Sequence, residues 1–167
     1  QIRVSTAIGY LAGARARANL EIMPNTLACR LRVHGRRCVG VDVTGADGEQ
    51  RLLDARLVVC STGAIQTPPL LMRSGIGAEA AVRAIGVDPI ADLPGVGANL
   101  CDHPALAVVC TVRDPAHASV DDPLIQTILR YTSPGSSFRN DLQIEQLSFA
   151  GRRGDQRFAI AAVLEYQ

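Results

Sequence analysis

Hydrophobic and polar residues alternate from Thr26 to Val33, with Leu27, Cys29, Leu31 and Val33 on one side and Ala28, Arg30 and Arg32 on the other. A period of two predicts a half-exposed strand. His34-Gly35-Arg36-Arg37 predicts a turn, and Cys38 to Thr44 a returning strand. Asp47-Gly48 is a hairpin signal, after which Gln50 to Asp54 pairs back. Residues 26–54 therefore read as a three-stranded meander. Upstream, Ser5 caps a helix from Thr6 to about Arg17, and Asn19 to Met23 reads as a short strand ended by Pro24.

The pattern then changes. Leu57-Val58-Val59-Cys60 is continuous, as in a parallel strand covered on both faces. A Thr62-Gly63-Ala64 turn follows, and Thr67-Pro68-Pro69 opens a helix over Pro69 to about Arg73, since proline suits a first helical turn. A second helix spans Glu79 to Ile85 and stops at Gly86. Asp88 to Ala91 is strand-like, and Leu93 to Pro104 is a Gly/Pro-rich loop. Beyond it, Ala105 to Val112 reads as a strand and Leu124 to Tyr131 as a helix capped by Asp122-Pro123. Thr132 to Asn140 reads as a loop, Leu142 to Phe149 as a strand, Gly151 to Gly154 as a turn and Phe158 to Tyr166 as a returning strand. The shift near Pro104 divides an α/β part, 1–104, from a sheet-rich part, 105–167.

Composition narrows the function classes. The 167 residues are 47% hydrophobic and 20% charged, enough for a packed core. A net charge of +1 gives no field to recruit nucleic acid or an anionic membrane. No apolar run reaches membrane-spanning length. Gln1-Ile2-Arg3-Val4 lacks the regions of a signal peptide, and five cysteines without a CxxC pair read as buried, reduced thiols of a cytoplasmic protein. The absent initiator Met points to a fragment or a processed product.

Gly75-Ile76-Gly77-Ala78-Glu79-Ala80 fits GxGxxA. It follows a helix, whereas a dinucleotide fingerprint follows a strand, so it reads as a helix C-terminal turn. The Thr62-Gly63 turn, at the carboxyl end of a strand, is where an open α/β sheet admits a ligand; packing alone explains such a turn equally well. His103 lies between Asp102 and Pro104, a pairing that orients an imidazole, although a structural histidine accounts for it better. No third ligand stands at metal spacing and no GxSxG elbow is present, so metal and serine chemistry lack support.

These stretches resemble the glucose–methanol–choline (GMC) oxidoreductases, FAD-dependent enzymes that oxidise alcohols. Gly63, Ala64, Thr67, Pro68, Leu70, Leu71, Ser74, Gly75, Ile76 and Gly77 match one signature of that family. Leu93-Pro94-Gly95-Val96-Gly97 and Asn99-Leu100-x-Asp102-His103-Pro104 match a second stretch. Asn19-Leu20-x-Ile22, Arg30, Gly35, Arg37 and Gly40-Val41 follow the family's spacing, and Asn140-Asp141-Leu142-Gln143 is similar to its entry into a substrate-domain strand.

The resemblance implies a partial FAD/NAD(P)-binding-type domain with the meander (1–104), then the first strands and helix of a sheet-based substrate domain (105–167). It implies FAD as cofactor. Ala28, where the family usually has Val, would meet the adenine through its backbone, and Thr62 and Gly63 would lie near the adenosine half. Asn99, Asp102 and His103 would hold the domain junction. Thr62, Pro69 and Cys101 stand where the family usually has Ala, Gln and Gln.

No catalytic residue can be carried over. The family's N-terminal GxGxxG segment and its C-terminal catalytic His segment have no counterpart in these residues. The parent would transfer a hydride from a small alcohol to the flavin, and this chain alone would be inactive and bind FAD poorly. The alternatives are a truncated, non-catalytic binding or scaffold module and, on the GxGxxA run, a free-standing NAD-binding module.

Overall fold

The computed structural model describes residues 4–111, 113–114, 123–148 and 157–164. The chain forms two compact units, Gln1–Leu100 and Cys101–Gln167.

In the first unit a π-helical turn, Ala7–Leu11, runs into a short helix, α1 (Ala12–Ala14). The Ile8 and Gly9 amides close on the Ser5 carbonyl at 3.0 and 2.8 Å, so Ser5 starts the helix as its position suggests. The expected strand over 19–23 is not formed. Leu20 and Ile22 are exposed, and no strand among the described residues lies alongside to supply a ladder.

The meander forms as β1 (Leu27–His34), β2 (Arg37–Thr44) and β3 (Gln50–Asp54), antiparallel in that order. Gly35 at φ +61° makes the first turn, a conformation glycine adopts without steric penalty. The simple alternation expected for β1 is broken between Ala28, opposite Val43, and Arg30, opposite Asp42. Cys29 is the extra residue, a bulge that redirects its neighbours. Leu31 and Val43 are the buried hydrophobic residues of this sheet, and Gly40 is buried with them.

The continuous run 56–60 belongs to no strand, with Leu57 and Val59 exposed. A strand exists by pairing with at least one neighbour, and no strand among the described residues pairs with this run. The helix after it, α2 (Gly63–Arg73), begins six residues before the expected Pro69, so Pro68 and Pro69 lie inside it. Only Leu70 of α2 is buried.

Two-residue strands β4 (Ile76–Gly77) and β5 (Ala91–Asp92) pair in parallel. Between them lies α3 (Glu79–Ala84), whose Val82 is fully buried. Gly86, at φ +75°, ends α3. Its amide reaches the Arg83 carbonyl at 2.9 Å, and the Val87 amide reaches Val82 at 3.2 Å. This is a Schellman closure.

The second unit is one antiparallel sheet of β6 (Ala105–Thr111), β7 (Ile125–Tyr131), β8 (Leu142–Leu147) and β9 (Arg157–Leu164), in the order β6-β9-β8-β7. β7 replaces the helix expected over 124–131. Ile125, Thr127, Ile128 and Tyr131 favour a pleated surface, and β8 pairs with them from Ile125–Leu147 to Tyr131–Leu142. The expected cap Asp122, the expected turn 151–154, and Val112, Phe149 and Tyr166 lie outside the described residues. Ala159 and Ala161 on the inner strand β9 are buried. The loop before β8 is tied down by Asp141, which accepts the Ser133 amide at 2.8 Å.

All five cysteines are free. Four are half-buried rather than buried, and Cys101 is exposed. Among the described residues no helix is long and apolar enough to cross a membrane, and no group of three or more His, Cys, Asp or Glu could hold a metal ion.

Candidate functional site

The site is built around α2. Gly63 is its first residue, at φ +80°, and a Cβ placed there would meet no atom within 4 Å. Thr62 precedes it without capping the helix through its side chain; its hydroxyl instead pairs with that of Thr67 at 2.9 Å. The first turn contains no acidic residue. The Gly63, Ala64 and Ile65 amides are therefore free of intrahelical partners, as at any helix start. Pro68 and Pro69 also remove the donors that would reach the Ala64 and Ile65 carbonyls. Residues 61–66 are exposed. The start of α2 thus offers open backbone donors and acceptors together, on a glycine that lets a ligand approach closely.

The far end of α2 is locked. Ser74 is fully buried; its hydroxyl donates to the Leu70 carbonyl at 2.6 Å and accepts the Leu31 amide at 2.8 Å. The Arg73 Nε donates to the Cys29 carbonyl at 3.0 Å. These two side chains satisfy the outer edge of β1, the neighbourhood of Ala28. Ala28 itself is half-buried opposite Val43.

Gly75, at φ +84°, turns the chain out of α2. Its carbonyl accepts the Ile90 and Ala91 amides at 2.6 and 3.1 Å, and a Cβ there would lie 2.7 Å from the Asp88 carbonyl oxygen. The Gly75-Ile76-Gly77 run is therefore filled by its own chain and leaves no cradle for a phosphate. Asp92 accepts the Glu79 amide at 3.0 Å and caps α3.

The Gly/Pro-rich loop folds back on α2. Gly97, at φ +78°, has Pro68 Cβ and Met72 Sδ at 3.6 and 3.8 Å from its Cβ position. Asn99 is exposed in the left-handed region, at φ +56°. Asp102 accepts the His103 backbone amide at 2.8 Å, and both residues belong to the second unit.

The structure thus brings Thr62 and Gly63 together at the mouth of α2 and gives Ala28 its own position on β1. Asn99 lies next to Leu100, the last residue of the first unit, and Asp102 and His103 follow Cys101, the first of the second. Sequence reasoning missed the Arg73 and Ser74 contacts to β1 and the bulge at Cys29. The Ser-Gly pair ending the helix is the one available signal for the first, and nothing in the alternation announces the second.

The sequence profile described as GMC oxidoreductase matches residues 1–105. The chain belongs to the GMC oxidoreductase family. The oxygen-dependent choline dehydrogenase of Pseudomonas putida (strain GB-1) is 45% identical over 104 residues, 60% of this chain and 18% of that protein. The enzyme of that name from Burkholderia thailandensis is 41% identical over 113 residues, 68% of this chain and 20% of that protein.

Among solved structures, pyridoxine 4-oxidase from Mesorbium loti superposes with a TM-score of 0.80 at 24% identity, covering 99% of this chain and 34% of that one. A formate oxidase gives 0.75 at 20% identity, covering 90% and 36%. These two likenesses show the mixed α/β fold. The chain spans about a fifth of the curated relatives and about a third of these solved chains. Family membership supports an oxidoreductase parent with FAD as its cofactor.

Proposed function

We propose that this chain is part of an FAD-dependent enzyme that oxidises a small alcohol, contributing to its flavin-binding part (1–104) and to the first strands of its substrate part (105–167). The observation that carries the reading is the open, uncapped start of α2 at Thr62-Gly63, set within a family match over residues 1–105.

That start fits the adenosine half of the cofactor. Free amides and carbonyls can hydrogen-bond its polar edges, and no Cβ or carboxylate obstructs it. Thr62 and Gly63 would bind there, and the Ala28 backbone would meet the adenine. Asn99, Asp102 and His103 would hold the junction between the two parts without performing chemistry. When bound, the flavin supplies the hydride acceptor. The chain's own contribution is to bind and orient; we assign it no proton-transfer residue and read it as inactive alone. The relatives' name makes choline one candidate alcohol. The free thiols agree with a cytoplasmic setting.

The test is flavin content and alcohol oxidation of the complete polypeptide, beside FAD titration of the 167-residue chain. We expect a yellow, active full-length protein, weakened in FAD retention by Gly63→Val, and poor binding by the chain alone. A full-length protein free of flavin overturns the reading in favour of a non-catalytic binding module.

A further inference from the structure

A cleft lies in the first unit between β1, α2 and the end of α3. The bulge at Cys29 places Cys29 and Arg30 along the same cleft, although consecutive strand residues ordinarily point to opposite faces. The cleft measures about 690 Å³, within the range of small-molecule sites. Its walls are apolar: Pro69 and Met72 from α2, Ile85 and Val87 from the end of α3. The Schellman closure at Gly86 fixes Ile85 and Val87 in place.

Its charge has one sign. Arg30 and Arg73 line it, and no carboxylate does. Arg73 is held by the bond from its Nε to the Cys29 carbonyl at 3.0 Å, which leaves both terminal nitrogens for a ligand. Arg30 makes no ion pair among the described residues. An anchored guanidinium edge beside an apolar wall matches a planar carboxylate on a hydrocarbon body.

We propose that this cleft binds a small aliphatic carboxylate, its head between Arg30 and Arg73 and its chain along Met72, Ile85 and Val87. The cleft shares no lining residue with the flavin reading at Ala28, Thr62 and Gly63, and the proposal does not depend on that reading.

Calorimetric titration of the 167-residue chain with octanoate and with its neutral analogue octanol tests this. Octanoate should bind at one site, and octanol about ten-fold or more weakly, the difference a charge-assisted pair supplies. Arg30→Gln should narrow that difference. Ile85→Glu, which sets a carboxylate in the exposed cleft wall, should abolish octanoate binding. Excess FAD should leave octanoate binding unchanged. Absence of octanoate binding, equal binding of the two probes, wild-type binding by Ile85→Glu, or displacement by FAD would each overturn the proposal. Circular dichroism of both variants separates lost binding from lost folding.

Discussion

The Ser74 hydroxyl accepts the backbone amide of Leu31 at 2.8 Å, across 43 residues of chain, and closes the outer edge of β1 with a side chain instead of a strand. The same hydroxyl donates to Leu70, so it serves the helix and the sheet at once. Ser74→Ala would leave the Leu31 amide without a partner inside the unit. We expect a loss of about 1–3 kcal/mol, read as a lowered urea midpoint with an unchanged slope. A variant as stable as the parent would show that water replaces the hydroxyl there.

Gly75 and Gly86 both stand at positive φ after helices, yet they differ in what surrounds them. A Cβ at Gly86 meets nothing within 4 Å, whereas one at Gly75 lies 2.7 Å from the Asp88 carbonyl and 2.9 Å from Ile90. Gly86→Ala should cost about 1 kcal/mol, from backbone strain alone. Gly75→Ala adds a clash with backbone and should cost roughly 2–6 kcal/mol, which parallel denaturation curves will resolve. Equal losses would mean that the 88–90 segment yields easily.

The meander was legible because its information is local: alternation, a glycine turn at Gly35, and Asp47-Gly48. Thr62 and Gly63 are also legible as an open turn, although the proline signal places the helix start six residues after Gly63. Proline suits a first helical turn, whereas α2 holds Pro68 and Pro69 internally, both half-buried. Leu124 to Tyr131 has no strict period, and only pairing with β8 decides that it forms β7. The run 56–60 failed in the opposite way: its composition is that of a strand, but strands exist by pairing. The Arg73 and Ser74 contacts join residues more than forty positions apart, beyond the reach of any periodic signal.

Asp141 gives the second unit a defined acid sensitivity. The Ser133 backbone amide holds its carboxyl below the ordinary aspartate range, helped by the Ser133 and Ser136 side chains and opposed by desolvation. A depressed folded value means that the stabilisation is complete above the ordinary range, about pH 4, and is lost as pH falls through the lowered value. Asp141→Asn should therefore flatten the stability loss below about pH 4 without removing it. In the first unit Asp47 is lowered chiefly by the Glu49 amide and also by Arg51, with the same sign. Identical acid limbs for parent and variant, followed by near-ultraviolet circular dichroism, would rule out a contribution from Asp141.

Leu57 and Val59 are 80% and 76% exposed in a segment paired with no strand among the described residues. They are two positions apart, so in a strand they share one face. An apolar edge of this kind recruits a strand from a second molecule. Their exposure also means that replacing them removes little packing. The double substitution Leu57→Lys with Val59→Lys should leave the unfolding free energy within about 0.5 kcal/mol for each site. It should also reduce self-association in sedimentation velocity as protein concentration rises. A parent chain that stays monomeric at every concentration would remove the basis of this prediction. A variant that loses several kcal/mol would mean that the run is packed in solution.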